Sequence, residues 1–96
     1  MWAAFSGYSE AIKLLIENGA HVNAKTEYGW TALMCAASNG KTETVKLLIK
    51  KGADINAKDN DGRTTLMCAA SNGKTETVQL LIENGADVHA ENSNGM

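Results

Sequence analysis

Residues Thr31–Ala57 read TALMCAASNGKTETVKLLIKKGADINA, and residues Thr64–Ala90 read TTLMCAASNGKTETVQLLIENGADVHA. The second stretch repeats the first at an offset of 33 residues. The same offset relates Gly7, Gly40 and Gly73; Gly19, Gly52 and Gly85; and Gly29, Gly62 and Gly95. An earlier copy, MWAAFSGYSEAIKLLIENGAHVNA, opens the chain and enters its unit partway through. A fixed period of this length marks stacked supersecondary units, each too small to bury its apolar face alone. Residues 1–96 therefore read as one domain built from units 1–30 (partial), 31–63 and 64–96.

Within one unit, Thr31 is placed to cap a first helix through its hydroxyl, with Leu33, Met34, Cys35, Ala36 and Ala37 as the apolar body. The two alanines keep that helix thin, so a neighbour can approach closely. Gly40 ends it, being a residue that takes positive φ without steric cost. Thr42 restarts the chain, with Glu43 in the first turn, where a carboxylate suits the helix dipole. Val45, Leu47, Leu48 and Ile49 give the second helix an apolar face too wide for one stripe. Such a helix is touched from more than one side. Gly52 stops it, and Asn60-Asp61-Gly62 reads as a tight turn between short extended arms. The unit is helix, turn, helix, hairpin-like loop.

The sequence Gly-Ala-Asp-Ile-Asn-Ala at 52–57, with Asp-Gly-x-Thr-x-Leu at 61–66 and Ala-Ala-x-x-Gly at 69–73, resembles the ankyrin repeat. The resemblance covers essentially the whole chain. It implies an all-α fold, a right-handed solenoid of stacked antiparallel helix pairs with β-hairpin-like loops. It also implies a protein-binding role without catalytic chemistry. The family's Thr-Pro-Leu-His reads Thr-Ala-Leu-Met at 31–34 and Thr-Thr-Leu-Met at 64–67. Without the proline a pre-organised first helical residue is lost. Without the histidine a family-typical hydrogen bond to the threonine is lost, so softer helix starts are expected.

Composition narrows the partners. Lys and Arg total 9 against 11 acids, without clustering, whereas a duplex-binding module carries a basic stripe. Nucleic acid is not expected as a partner. No apolar run reaches bilayer-spanning length, and no charged-then-apolar leader opens the chain, so no membrane partner is expected. Cys35 and Cys68 share one position in adjacent units. Stacked helices sit roughly 8–10 Å apart, too far for a disulfide that needs Cα atoms within about 7 Å. They read as buried, unreactive thiols, which suits a reducing, cytoplasmic setting.

Three motifs suggest chemistry and do not carry it. Gly40-Lys41-Thr42 and Gly73-Lys74-Thr75 resemble the end of a phosphate-binding loop, but the glycine required five residues earlier is Cys35 or Cys68. His21 and His89 lie in different units, with no His or Cys neighbour at ligand spacing. Glu10, Glu43 and Glu76 recur at one unit position and read as helix-dipole partners. Repeated units scatter such groups along a line, where catalysis needs them to converge. No enzyme activity, metal or cofactor is expected.

The aromatics are distributed differently. Trp2, Phe5, Tyr8, Tyr28 and Trp30 all fall in the first 30 residues. Phe5 aligns with Ser38 and Ser71, Tyr28 with Asp61 and Asn94, and Trp30 with Arg63 and Met96. In the ankyrin family these positions lie on the inner helix surface and at the loop tips, where targets are contacted. Large aromatics replacing polar residues at exposed positions are typical of binding hot spots. Trp2 aligns with Cys35 and Cys68 and reads instead as a cover for the N-terminal end.

The expected partner is another protein, held on a concave face made of Phe5, Lys25, Glu27, Tyr28, Trp30, Ser38, Asn39, Lys58, Asp61, Arg63, Ser71 and Asn72. The aromatics would anchor it and the polar residues would set register. Leu80, Leu81 and Ile82 keep the interior pattern in the last unit. That reads as a chain cut from a longer array and predicts self-association through uncovered ends. A structural array fragment or engineered scaffold without a dedicated partner is the alternative, supported by the near-identity of the last two units.

Overall fold

The computed structural model describes residues 21–91. In this region the chain forms α1 (Ala32–Ser38), α2 (Thr42–Lys50), α3 (Thr65–Ser71) and α4 (Thr75–Glu83). Helix α1 packs against its own partner α2 and against α3 of the next unit, while α4 packs on both α3 and α2. The loop between α2 and α3 closes with one isolated antiparallel bridge, Lys58 to Thr64, and no longer strand forms among the described residues. The architecture is all-helical, two stacked helix pairs joined by a projecting loop.

Local chemistry sets the helix ends. Thr31 Oγ1 accepts from the Met34 N–H (3.2 Å), and Thr64 Oγ1 accepts from the Met67 N–H (3.3 Å). Each satisfies a donor that the first turn leaves unpaired. Helices α2 and α4 start differently. Lys41 and Lys74 hold their N-cap positions without a side-chain bond, and the Thr42 hydroxyl donates backwards to the Gly40 carbonyl (3.4 Å). Glu43 and Glu76 lie in those first turns, so charge replaces capping.

All four helices end alike. After α1, the Gly40 N–H donates to the Ala37 carbonyl (3.1 Å) and the Lys41 N–H to the Ala36 carbonyl (3.0 Å). This bond pair needs the intervening residue in the left-handed region, and Gly40 has φ +66°. The same pair recurs after α2 at Gly52 and Ala53, after α3 at Gly73 and Lys74, and after α4 at Gly85 and Ala86.

The core lies between the helix pairs. Leu33 through Ala37 are all buried, along with Val45, Leu48, Ala69 and Leu81. Leu47 and Ile49 pack against this cluster from the side, as the wide apolar face of α2 predicts. Ala36 and Ala69 are both 0% exposed, and these small side chains let α1 and α3 come together.

Adjacent units are also clamped by asparagine. Asn23 Nδ2 donates to the Gly52 carbonyl (3.2 Å), and Asn23 Oδ1 accepts from the Asp54 N–H (2.6 Å). One unit later, Asn56 Nδ2 donates to the Gly85 carbonyl (3.3 Å) and Asn56 Oδ1 accepts from the Asp87 N–H (2.8 Å). A carboxamide offers a donor and an acceptor at one end, so a single side chain meets both backbone groups.

Candidate partner-binding face

Two loop tips stand side by side at one edge of the stack. The second is built on Asp59, a carboxylate only 6% exposed. Its Oδ1 accepts from the Asp61 and Arg63 N–H groups (2.9 Å each), and its Oδ2 accepts from Arg63 Nε (3.2 Å). Arg63 Nη2 lies 3.6 Å from Asp61 Oδ2. A charge-assisted bond thus ties the turn to the side chain that follows it.

The first tip makes the same turn with different atoms. Thr26 Oγ1 accepts from the Tyr28 and Trp30 N–H groups (3.2 Å each). The backbone closure is also the same, Thr26 N–H to the Trp30 carbonyl and Asp59 N–H to the Arg63 carbonyl (2.9 Å each). A threonine has no second oxygen for a guanidinium. Trp30 takes the place of Arg63, and it packs half-buried against the core.

The tips are bonded together. The Asn60 N–H donates to the Tyr28 carbonyl (3.0 Å), Asn60 Nδ2 to the Glu27 carbonyl (2.8 Å), and Lys25 Nζ to the Lys58 carbonyl (2.9 Å). Contact is close enough to dictate a residue. Gly29 has φ +79°, and a Cβ there would lie 2.6 Å from Asn60 Oδ1 and 2.8 Å from Asn60 N. Only glycine fits.

The residues expected to meet a partner divide into two groups. Lys25, Glu27, Tyr28, Lys58, Asp61, Ser71 and Asn72 are exposed; Trp30, Ser38, Asn39 and Arg63 are half-buried. Phe5 lies outside the described residues. Among the described residues, Tyr28 is the most exposed of the large apolar side chains, at 67%. Its backbone holds the turn while its ring stands in solvent. The inner-helix polar residues are largely committed to the fold. Asn39 Nδ2 donates to the Cys35 carbonyl (2.8 Å), Asn72 Nδ2 to the Cys68 carbonyl (2.9 Å), and the Ser71 hydroxyl to that same carbonyl (3.2 Å). Ser38 lies near the Cys68 thiol of the next unit and favours its ionised form.

Asp59, and the bonds that Asn60 makes across to the other tip, escaped the sequence reading, which took Asn60 only as a turn residue. Asn60 aligns with Glu27 and Ser93, so the repeat gives no sign of its role. Asp59 could have been found, because positions 59 and 63 change together relative to Thr26 and Trp30.

Both thiols are free and buried, as the sequence predicts. Burial pushes the Cys35 thiol up to about 11, with the nearby Cys68 adding to the effect. Burial also raises Cys68, opposed by the Arg63 guanidinium and by Ser38 and reinforced by Asp59. A thiol held protonated is a poor nucleophile. Among the described residues, no cluster of three or more His, Cys, Asp or Glu could hold a metal ion. No helix there is long and apolar enough to cross a membrane.

A family model for ankyrin repeats, in three copies, matches residues 1–92. A search of curated proteins finds no match to the chain.

Proposed function

From the chain's membership of the ankyrin repeat family, whose repeats generally serve protein–protein interaction and are typically non-enzymatic, we propose a specific binding face. A partner protein docks on the concave side and the loop tips, with Tyr28 as its anchor. One observation carries this reading. A tyrosine ring is 67% exposed at a tip where the sister units place Asp61 and Asn94. The turn itself does not need it, since Asp61 makes the same turn. A large apolar ring left in water has its use at an interface. Trp30, half-buried beneath the same tip, stiffens the loop and so lowers the ordering cost of binding. Phe5 is assigned to the same face on its alignment with Ser38 and Ser71, while Lys25, Glu27, Lys58, Asp61 and Arg63 supply a polar rim that sets register.

The test uses the chain as bait in extract of its source cells, beside Tyr28→Asp and Lys46→Gln variants. The captured protein is then purified and its affinity measured. Tyr28→Asp should cost about 2 kcal/mol or more of binding energy with an unchanged melting temperature. Lys46→Gln should change neither, because Lys46 is exposed on α2 and its amine pairs with the exposed Glu43 at 3.5 Å. A partner that binds Tyr28→Asp as tightly as wild type would sink the proposal. The near-identity of units 31–63 and 64–96 supports a second reading, a structural array fragment or engineered scaffold. Capture of nothing that depends on Tyr28 would favour it.

A further inference from the structure

The two loop tips make one turn but hold different charges. At the second tip, Arg63 Nε bonds Asp59 Oδ2 (3.2 Å) and Arg63 Nη2 lies near Asp61 Oδ2 (3.6 Å). One guanidinium serves two acids, so a negative charge is left over, and the Asp61 side chain is 78% exposed. The first tip has no guanidinium. Trp30 stands in place of Arg63, and among the described residues no cation pairs with the exposed Glu27 carboxylate. What this tip has instead is the Tyr28 ring.

Backbone bonds bring these groups to one place. The Asn60 N–H donates to the Tyr28 carbonyl (3.0 Å) and Asn60 Nδ2 to the Glu27 carbonyl (2.8 Å), and Asp61 is the next residue. An exposed ring therefore stands beside two exposed carboxylates. The neighbouring lysines belong to the foot of the loops. The Lys25 amine is bonded to the Lys58 carbonyl (2.9 Å), and Lys58 sits at the bridge to Thr64. Cations lie below the tips and acids at their ends.

We propose that the side chain which the partner seats on Tyr28 is an arginine. This rests on the docking face proposed above and names the chemistry of its occupant. An aromatic face carries negative potential, so a cation placed over it is attracted. The Glu27 and Asp61 carboxylates add Coulomb attraction at the same spot. A purely apolar group on the ring would strip water from both acids and return nothing. A guanidinium is flat, so it stacks on the ring while its edge N–H groups reach the acids; an ammonium, more strongly hydrated, does this less well. Arg63 already shows one guanidinium between carboxylates at the second tip, and the partner's arginine is its counterpart at the first.

A displayed library of random short linear peptides, selected on the full chain, tests this. Peptides bound through Tyr28 should share an arginine, and replacing it with alanine should weaken binding at least about tenfold. Tyr28→Phe should stay within about twofold of wild type, because the ring face is kept, whereas Tyr28→Leu should lose about fivefold although it remains apolar. Glu27→Gln and Asp61→Asn should each cost about threefold at low salt, and the cost should fade as salt is raised. Melting temperatures of the variants check that the tips remain folded. Peptides that need Tyr28 yet carry no arginine, or that bind Tyr28→Leu as well as wild type, would overturn the arginine and leave the docking face standing. Indifference of an arginine-bearing peptide to both Glu27→Gln and Asp61→Asn would overturn it as well. If no selected peptide is weakened by Tyr28→Ala, the arginine and the docking face fail together.

Discussion

Thr64 and Thr65 are neighbours, chemically identical, and exposed by only 2% and 0%. Replacing each with valine should move stability in opposite directions. Valine keeps the shape of threonine and exchanges the hydroxyl for a methyl. The Thr65 hydroxyl is buried without a hydrogen-bond partner. A buried polar group left unpaired costs about 1–3 kcal/mol, and the added methyl contributes about 0.8 kcal/mol on burial. Helix propensities of threonine and valine are nearly equal, so the first position of α3 is not penalised. Thr65→Val should therefore stabilise the chain by about 1–2 kcal/mol. In a domain of this size each kcal/mol raises the melting temperature by roughly 4–8 °C. The Thr64 hydroxyl instead accepts from the Met67 N–H (3.3 Å). Thr64→Val removes that cap and should destabilise by about 1 kcal/mol. Urea unfolding followed by circular dichroism, with the m-values compared, measures both. The reasoning is refuted if Thr65→Val is no more stable than wild type, or if both substitutions have the same sign.

Two further outcomes follow from the loop tips and the thiols. Trp30→Arg alone should destabilise, because Thr26 has no carboxylate for the new guanidinium, and Thr26→Asp in the same chain should recover part of the loss. A double-mutant cycle on melting should find a coupling of about 1 kcal/mol, and strict additivity would count against the paired-exchange account. For Cys35, the folded thiol at about 11 lies above its ordinary value of 9.0, so the unfolded chain releases its proton first as pH rises. Stability present at neutral pH should then fall between about pH 9 and 11. Cys35→Ala should remove that part of the decline, and an identical pH profile in the variant would refute the linkage.

Much of the fold was legible because its determinants are local and repeated. Thr31 and Thr64 cap, the glycines stop every described helix, and Val45 and Leu48 are buried for reasons visible in spacing alone. The binding face was less legible. Comparing Trp30 with Arg63 treats a position as independent, yet Arg63 is held by Asp59 and Trp30 accompanies Thr26. The exchange is of a pair, and its apolar member moves inward. Ser38 and Asn39 read as partner-facing residues, but a one-dimensional pattern does not reveal that Ser38 lies near the Cys68 thiol or that the Cys35 carbonyl already engages Asn39. Thr65 is the same problem in miniature. Whether a hydroxyl is satisfied depends on atoms contributed from elsewhere in the chain.

The asparagine clamps have a consequence for how such a chain can vary. Each reaches only main-chain atoms of the following unit, a carbonyl at Gly52 or Gly85 and an N–H at Asp54 or Asp87. The clamp's share of cohesion is thus indifferent to the side chains that the receiving segment displays. Surface positions are free to drift towards new targets without loosening the joint. As far as the clamp is concerned, units are interchangeable, provided the single residue between carbonyl and amide, Ala53 or Ala86, is neither lost nor doubled.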